Sequence, residues 1–82
     1  MERPHNYASI IILDISCENL EELPCWVSEC KNLKYLNCSW NKITKLDNLP
    51  TGLKDLNCSW NHITQLDNLP QTLEILEYFN TD

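Results

Sequence analysis

The chain has 82 residues, 43% of them hydrophobic, which leaves room for one domain and is too apolar for a disordered tail. Twelve acidic against six basic residues give a net charge of −6. That balance argues against nucleic acid, whose phosphates need clustered Lys and Arg, and less strongly against an anionic membrane surface; it favours a partner with a basic patch.

The first nine residues read as a lead. The run Ile10-Ile11-Ile12-Leu13 is too short for a signal-peptide core and lacks a basic leader, and no segment reaches the ~18–20 apolar residues of a membrane span. The chain is therefore expected in the cytoplasm, with Cys17, Cys25, Cys30, Cys38 and Cys58 as thiols: five is an odd number, without a disulfide-scaffold spacing.

Residues 33–52 and 53–72 are two copies of one unit. LKYLNCSWNKITKLDNLPTG stands over LKDLNCSWNHITQLDNLPQT with fifteen of twenty positions identical and no gap. The period runs on in both directions. Leu73, Leu76 and Tyr78 fall one repeat after Leu53, Leu56 and Cys58; Ile10, Leu13, Ile15, Leu20 and Leu23 match Leu33, Leu36, Cys38, Ile43 and Leu46. The expected units are thus 10–32, which is three residues longer, then 33–52, 53–72 and a partial 73–82.

Residues two apart share one face of a strand. Leu13 with Ile15, Leu36 with Cys38, Leu56 with Cys58 and Leu76 with Tyr78 should therefore face a common core, from short strands in a parallel sheet with ~4.8 Å between neighbours. Ile43, Leu46 and Leu49 carry the return path inward, and Pro50 and Pro70 disfavour a long helix there. In the first unit Val27, Cys30 and Leu33 or Leu23 have helical spacing after Pro24, which predicts one short helix near residues 25–30; turns or 3₁₀ pieces are expected later.

The wording L-x-x-L-x-C-x-x-N-x-I-x-x-L, from residue 10 to about residue 81, resembles the leucine-rich repeat, with Cys in place of the third Leu. The short units with L-P before the next strand look like those of bacterial effector proteins. The N-C-S-x-N-x-I-T-x-L phrase also resembles repeat proteins of amoeba-infecting giant viruses, whose cytoplasm would be the host's. The resemblance implies an α/β right-handed solenoid with its sheet on the concave face. It places Asn41 and Asn61 inside the turn, bonded to the backbone of adjacent coils. Glu18 and Thr81 depart from that Asn, leaving a ladder of two.

Family geometry puts Trp40 and Trp60 at one edge of the concave face, side by side. They read either as an interface hot spot or as an edge pair that shields the turn. Tyr35, Asn37, Ser39, Asp55, Asn57 and Ser59 should line the concave side, with Ile12, Asp14, Ser16, Ile75, Glu77 and Phe79 as their counterparts. Cys38 and Cys58 could form a metal or redox pair, but without C-x-x-C spacing or a neighbouring His they read as small core residues. Two N-x-S matches, at Asn37 and Asn57, lie in strands and read as coincidence.

No nucleophile–base grouping, phosphate loop or metal set is evident, so no enzyme, cofactor or metal is expected. The expected function is protein–protein interaction through the concave face or the C-terminal edge, with Tyr35, Asn37, Trp40, Asp55, Asn57, Trp60, Ile75, Glu77 and Phe79 as contacts. The alternatives are a homodimer closed over the last strand, and a truncated recognition arm of a larger effector such as a ubiquitin ligase.

Overall fold

A computed structural model describes residues 1–79. Its core architecture is a four-stranded parallel sheet in chain order, β1 (Ile12–Asp14), β2 (Tyr35–Asn37), β3 (Asp55–Asn57) and β4 (Ile75–Glu77). The register follows the repeat. Leu13 stands beside Leu36, Leu36 beside Leu56, and Leu56 beside Leu76, so the step is 23 residues and then 20 and 20. The three extra residues of the first unit are absorbed outside the sheet.

Each strand is only three residues long, and after β1, β2 and β3 the chain turns at a left-handed residue three positions past the strand end. Pairing nevertheless continues beyond the strands. Ile15 N–H donates to the Asn37 carbonyl at 2.8 Å and Cys38 N–H to the Asn57 carbonyl at 2.9 Å. On the opposite side His62 N–H donates to Ile43 and Thr64 N–H to Thr44, again one repeat apart. Backbone polar groups of one unit are thus satisfied by the next, which a turn-rich chain with little helix requires.

The helical spacing after Pro24 does form a helix, but a 3₁₀ helix, Cys25–Glu29, rather than an α-helix. Pro24 precedes it with extended backbone, and Cys30 N–H closes it onto the Val27 carbonyl, so five residues span barely two tight turns. The later return paths contain turns and extended backbone without a 3₁₀ helix among the described residues.

The core is built from columns of equivalent positions. Leu33 with Leu53, Leu36 with Leu56, Cys38 with Cys58 and Ile43 with Ile63 are all buried. The 3₁₀ helix adds Val27 and Trp26, and the Trp26 indole N–H donates to the Met1 carbonyl at 3.2 Å. Trp26 escapes a periodicity argument because it belongs to the one insertion that breaks the repeat. Towards β4 the columns open: Leu66 and Leu76 are each 39% exposed, whereas Leu46 and Leu56 are buried.

Candidate functional site

The feature that stands out lies just past the strands. Cys17, Trp40 and Trp60 occupy equivalent positions, and all three have left-handed backbone, with φ of 57°, 57° and 59°. Their amides are held alike: Cys17 N–H donates to Ser39, Trp40 N–H to Ser59 and Trp60 N–H to Phe79. The turn that reverses the chain here needs a positive φ, which an L-residue resists by about 1–2 kcal/mol. Asn tolerates it better, and Asn19, Asn48 and Asn68 supply the other left-handed positions among the described residues.

This conformation throws the indoles clear of the sheet. Trp40 and Trp60 stack with ring centroids 5.1 Å apart and planes 22° apart, a spacing close to that of neighbouring strands. Phe79 extends the stack on Trp60 at 6.1 Å. By register Phe79 stands where Ser59 stands, one residue before the Trp position, so its place in the stack was not readable from the repeat. Trp40 is 57% exposed, Trp60 38% and Phe79 63%. Two stacks at about 0.5–1.5 kcal/mol each, beyond the apolar area they bury, offset much of the strain of two left-handed tryptophans.

The turn behind the stack is held by Asn41 and Asn61. The Asn41 side-chain oxygen accepts from Glu18 N–H at 3.0 Å and Leu20 N–H at 2.9 Å; its amide nitrogen donates to the carbonyls of Ile15, Cys38 and Ser39. Asn61 accepts from Ile43 N–H and donates to Cys38, Cys58 and Ser59. Each side chain therefore ties its own turn to the preceding coil. Glu18, which replaces this Asn in the first coil, contributes its backbone instead. Thr81 lies outside the described residues.

On the sheet face Ile12, Tyr35 and Ile75 are exposed and Asp55 is partly so. Asn37 and Asn57 are half-buried, and Asp14 and Glu77 are exposed. Ser39 and Ser59 do not belong with them. Both are buried, because the strand has ended and the backbone is already turning inward; Ser39 donates to the Asn37 side chain at 2.6 Å. The equivalent Ser16 makes the same bond to Asp14, and that hydrogen bond, with the one from Ser16 N–H, holds the Asp14 carboxyl below its ordinary value.

Cys38 and Cys58 are fully buried. Burial, reinforced by the neighbouring Cys58 thiol, pushes Cys38 up to about 12, and burial pushes Cys58 to about 11. Both are protonated core residues at neutral pH, poor nucleophiles by that measure. Cys17 and Cys25 are exposed and Cys30 is buried. No group of three His, Cys, Asp or Glu residues stands together among the described residues, and no helix there is long and apolar enough to cross a membrane.

Comparison with protein-family models, with characterised proteins and with solved structures returns no match for this chain. Its geometry is therefore the ground for assigning a role. That geometry offers a row of exposed rings, with Ile12, Tyr35 and Ile75 exposed on the sheet face, on a scaffold whose neighbouring repeats are joined by backbone hydrogen bonds. The depression beside the rings, lined by Cys17, Asn19, Trp40, Lys42, Trp60 and His62 among others, is open rather than enclosed among the described residues, a shallow groove of about 380 Å³.

Proposed function

We propose that the chain is a leucine-rich-repeat module, a right-handed solenoid that binds a protein partner in the cytoplasm and has no catalytic role of its own. The observation that carries this is the exposed Trp40–Trp60–Phe79 stack, held by strained backbone at the edge of the sheet. Exposed large aromatics are the residues that anchor protein interfaces. Ile12, Tyr35 and Ile75 extend the apolar surface across the sheet face, and Asn37, Asp55, Asn57 and Glu77 supply polar contacts between them. The repeat supports the same reading, since a stack of identical units makes a rigid, extended surface rather than a cleft.

The test is affinity capture with the intact chain and with the Trp40→Ala/Trp60→Ala variant, followed by titration of the purified captured protein. Loss of affinity by a factor of ten or more in the variant is expected, about 1.4 kcal/mol or more. Equal affinity would end the proposal.

A second reading is favoured by the open columns at β4. Leu66 and Leu76 are exposed there, and β4 has no strand on its far side among the described residues. Two copies could cover that edge against each other. A monomer mass by light scattering at ~10 μM, a concentration at which mass action favours a stable dimer, would exclude it.

A further inference from the structure

The groove beside the rings collects hydrogen-bond donors. Asn19, Lys42 and His62 each stand two residues past a left-handed position, Cys17, Trp40 or Trp60, on three successive coils, and all three line the groove. Their backbone is pinned coil to coil. Lys42 N–H donates to the Leu20 carbonyl at 2.8 Å and His62 N–H to the Ile43 carbonyl at 3.0 Å. The backbones of neighbouring members therefore sit about one strand spacing apart, ~4.8 Å. Each of the three side chains ends in nitrogen and carries a donor. The two near-identical coils differ at this place, Lys against His, and still keep a nitrogen side chain there.

The chain has twelve acidic residues, and none of them lines this groove. Glu18 lies between Cys17 and Asn19 in sequence and is exposed, but it is not part of the lining. The Lys42 ammonium pairs with no carboxylate among the described residues, where the ion pairs are Arg3–Glu29 and Lys54–Glu74. The indole N–H groups of Trp40 and Trp60 have no acceptor among the described residues either, whereas that of Trp26 does. A cationic side chain entering here would be repelled by Lys42. A purely apolar one would cover the rings and leave the ammonium to lose water without an acceptor. A carboxylate accepts from the ammonium in a charge-assisted hydrogen bond, and an apolar neighbour covers the rings.

We infer that this groove seats an acidic side chain of the protein partner, its carboxylate on Lys42 and an adjacent apolar residue against Trp40 and Trp60. This deepens the protein-binding reading and rests on it. The net charge of −6 does not decide the matter, because charges more than about 8 Å away are largely screened at physiological salt. It does weigh against a nucleic acid, which brings a phosphate at every step and extends beyond the groove.

The experiment uses the ¹⁵N-labelled chain and its three indole N–H signals. Trp26 serves as an internal reference, because it is buried and its indole N–H is bonded within the fold. The probe is a capped Gly-Leu-Glu-Leu-Gly peptide, with Gln and Lys in place of Glu as the neutral and cationic controls. The glutamate peptide should move the Trp40 and Trp60 signals, with a dissociation constant on the order of 1 mM for so small an anchor, and leave Trp26 in place. The glutamine peptide should bind about two- to fivefold more weakly, and the lysine peptide more weakly still. The gap between glutamate and glutamine should shrink as salt is raised.

Lys42→Gln should abolish that gap, so that the two peptides bind alike. Lys42 is exposed and its backbone bond survives the change, so the variant should fold, which an unmoved Trp26 signal would verify. Trp40 and Trp60 signals unmoved at about 10 mM peptide, tenfold above the expected constant, would overturn the inference. So would glutamine binding equal to glutamate, a glutamate preference that survives Lys42→Gln, or tighter binding of the lysine peptide or of hexathymidylate. The protein-binding reading fails by a separate result, a captured partner whose affinity survives loss of both tryptophans.

Discussion

Replacing Asn41 with Ala should remove about a third of the stability of the fold. The side chain accepts from two backbone amides of the preceding coil, Glu18 and Leu20, and donates to three carbonyls, two in its own turn and one in the preceding coil. Ala supplies none of these. The carbonyls keep other opportunities for bonding, since each has two lone pairs, but each amide has only one proton to place. An amide left without an acceptor costs about 1–3 kcal/mol when buried. Glu18 is exposed and Leu20 half-buried, so water recovers part of that. The expected loss is about 2–4 kcal/mol. Folded domains of this length have roughly 4–12 kcal/mol to lose, so the variant should be visibly fragile at room temperature.

Urea unfolding followed by fluorescence and far-ultraviolet circular dichroism would measure it, with an unchanged slope showing that the denatured state is the same. Asn37→Ala is the matched control. The Asn37 side chain accepts only from Ser39, two residues away, and its loss should cost about 1 kcal/mol. Asn41→Asp gives a second check. A carboxylate keeps the acceptors but cannot donate to the Ile15, Cys38 and Ser39 carbonyls, so it should be as unstable as Ala at neutral pH. Its folded-state pKa would be raised by burial and by those carbonyls, so stability should be partly recovered as pH falls and the group protonates. If Asn41→Ala costs less than about 1 kcal/mol, or no more than Asn37→Ala, the turn is held by something other than this side chain.

Three further outcomes are expected. Trp40→Asn/Trp60→Asn should lower the thermal midpoint by less than Leu56→Ala does, because relief of left-handed strain offsets part of the lost stacking and burial; a larger fall would make the indoles structural. Leu56→Ala should cost about 2–5 kcal/mol and Leu76→Ala less than half of that, measured by urea unfolding at equal concentration, since the first is buried and the second partly exposed; equal costs would mean that β4 is covered in solution. The Cys38 thiol is raised from 9.0 to about 12, so its contribution is intact below pH 9 and is lost as pH rises towards 12, amounting to ~4 kcal/mol at full titration. Urea midpoints at pH 8 and pH 10.5 should diverge more in the parent than in Cys38→Ala, and parallel slopes against pH would refute the buried-thiol account.

Most of the sheet was legible because its period is written twice in nearly the same letters. Leu36 and Leu56, Cys38 and Cys58 declare a shared face, and the 23- and 20-residue steps follow from alignment alone. The turn was less legible. A two-residue alternation carried past Asn37 puts Ser39 outside, but the alternation ends with the strand and the serine tucks in. The left-handed backbone at Cys17, Trp40 and Trp60 has no signature in residues that usually avoid it, whereas Asn48 and Asn68, just before Leu-Pro, could have been recognised as turn residues. Phe79 was legible as exposed but not as a stacking partner, because its ring reaches across one position of register.

The two near-identical coils carry their own control experiment. They differ at five positions: Tyr35 and Asp55, Lys42 and His62, Lys45 and Gln65, Thr51 and Gln71, and Gly52 and Thr72. None of these residues is buried. Identity at the buried positions is what packing demands, and identity at Asn48 and Asn68 is what a left-handed turn demands. Trp40 and Trp60 fit neither demand. They are exposed, their backbone is of the kind an indole resists, and the stacking they gain is about as large as the strain they carry. The repeated indole, exposed and on left-handed backbone, is the observation on which the proposed binding role rests. Under that proposal the variable positions on either side, Tyr35 with Asp55 and Lys42 with His62, are the ones whose exchange should change affinity without changing stability.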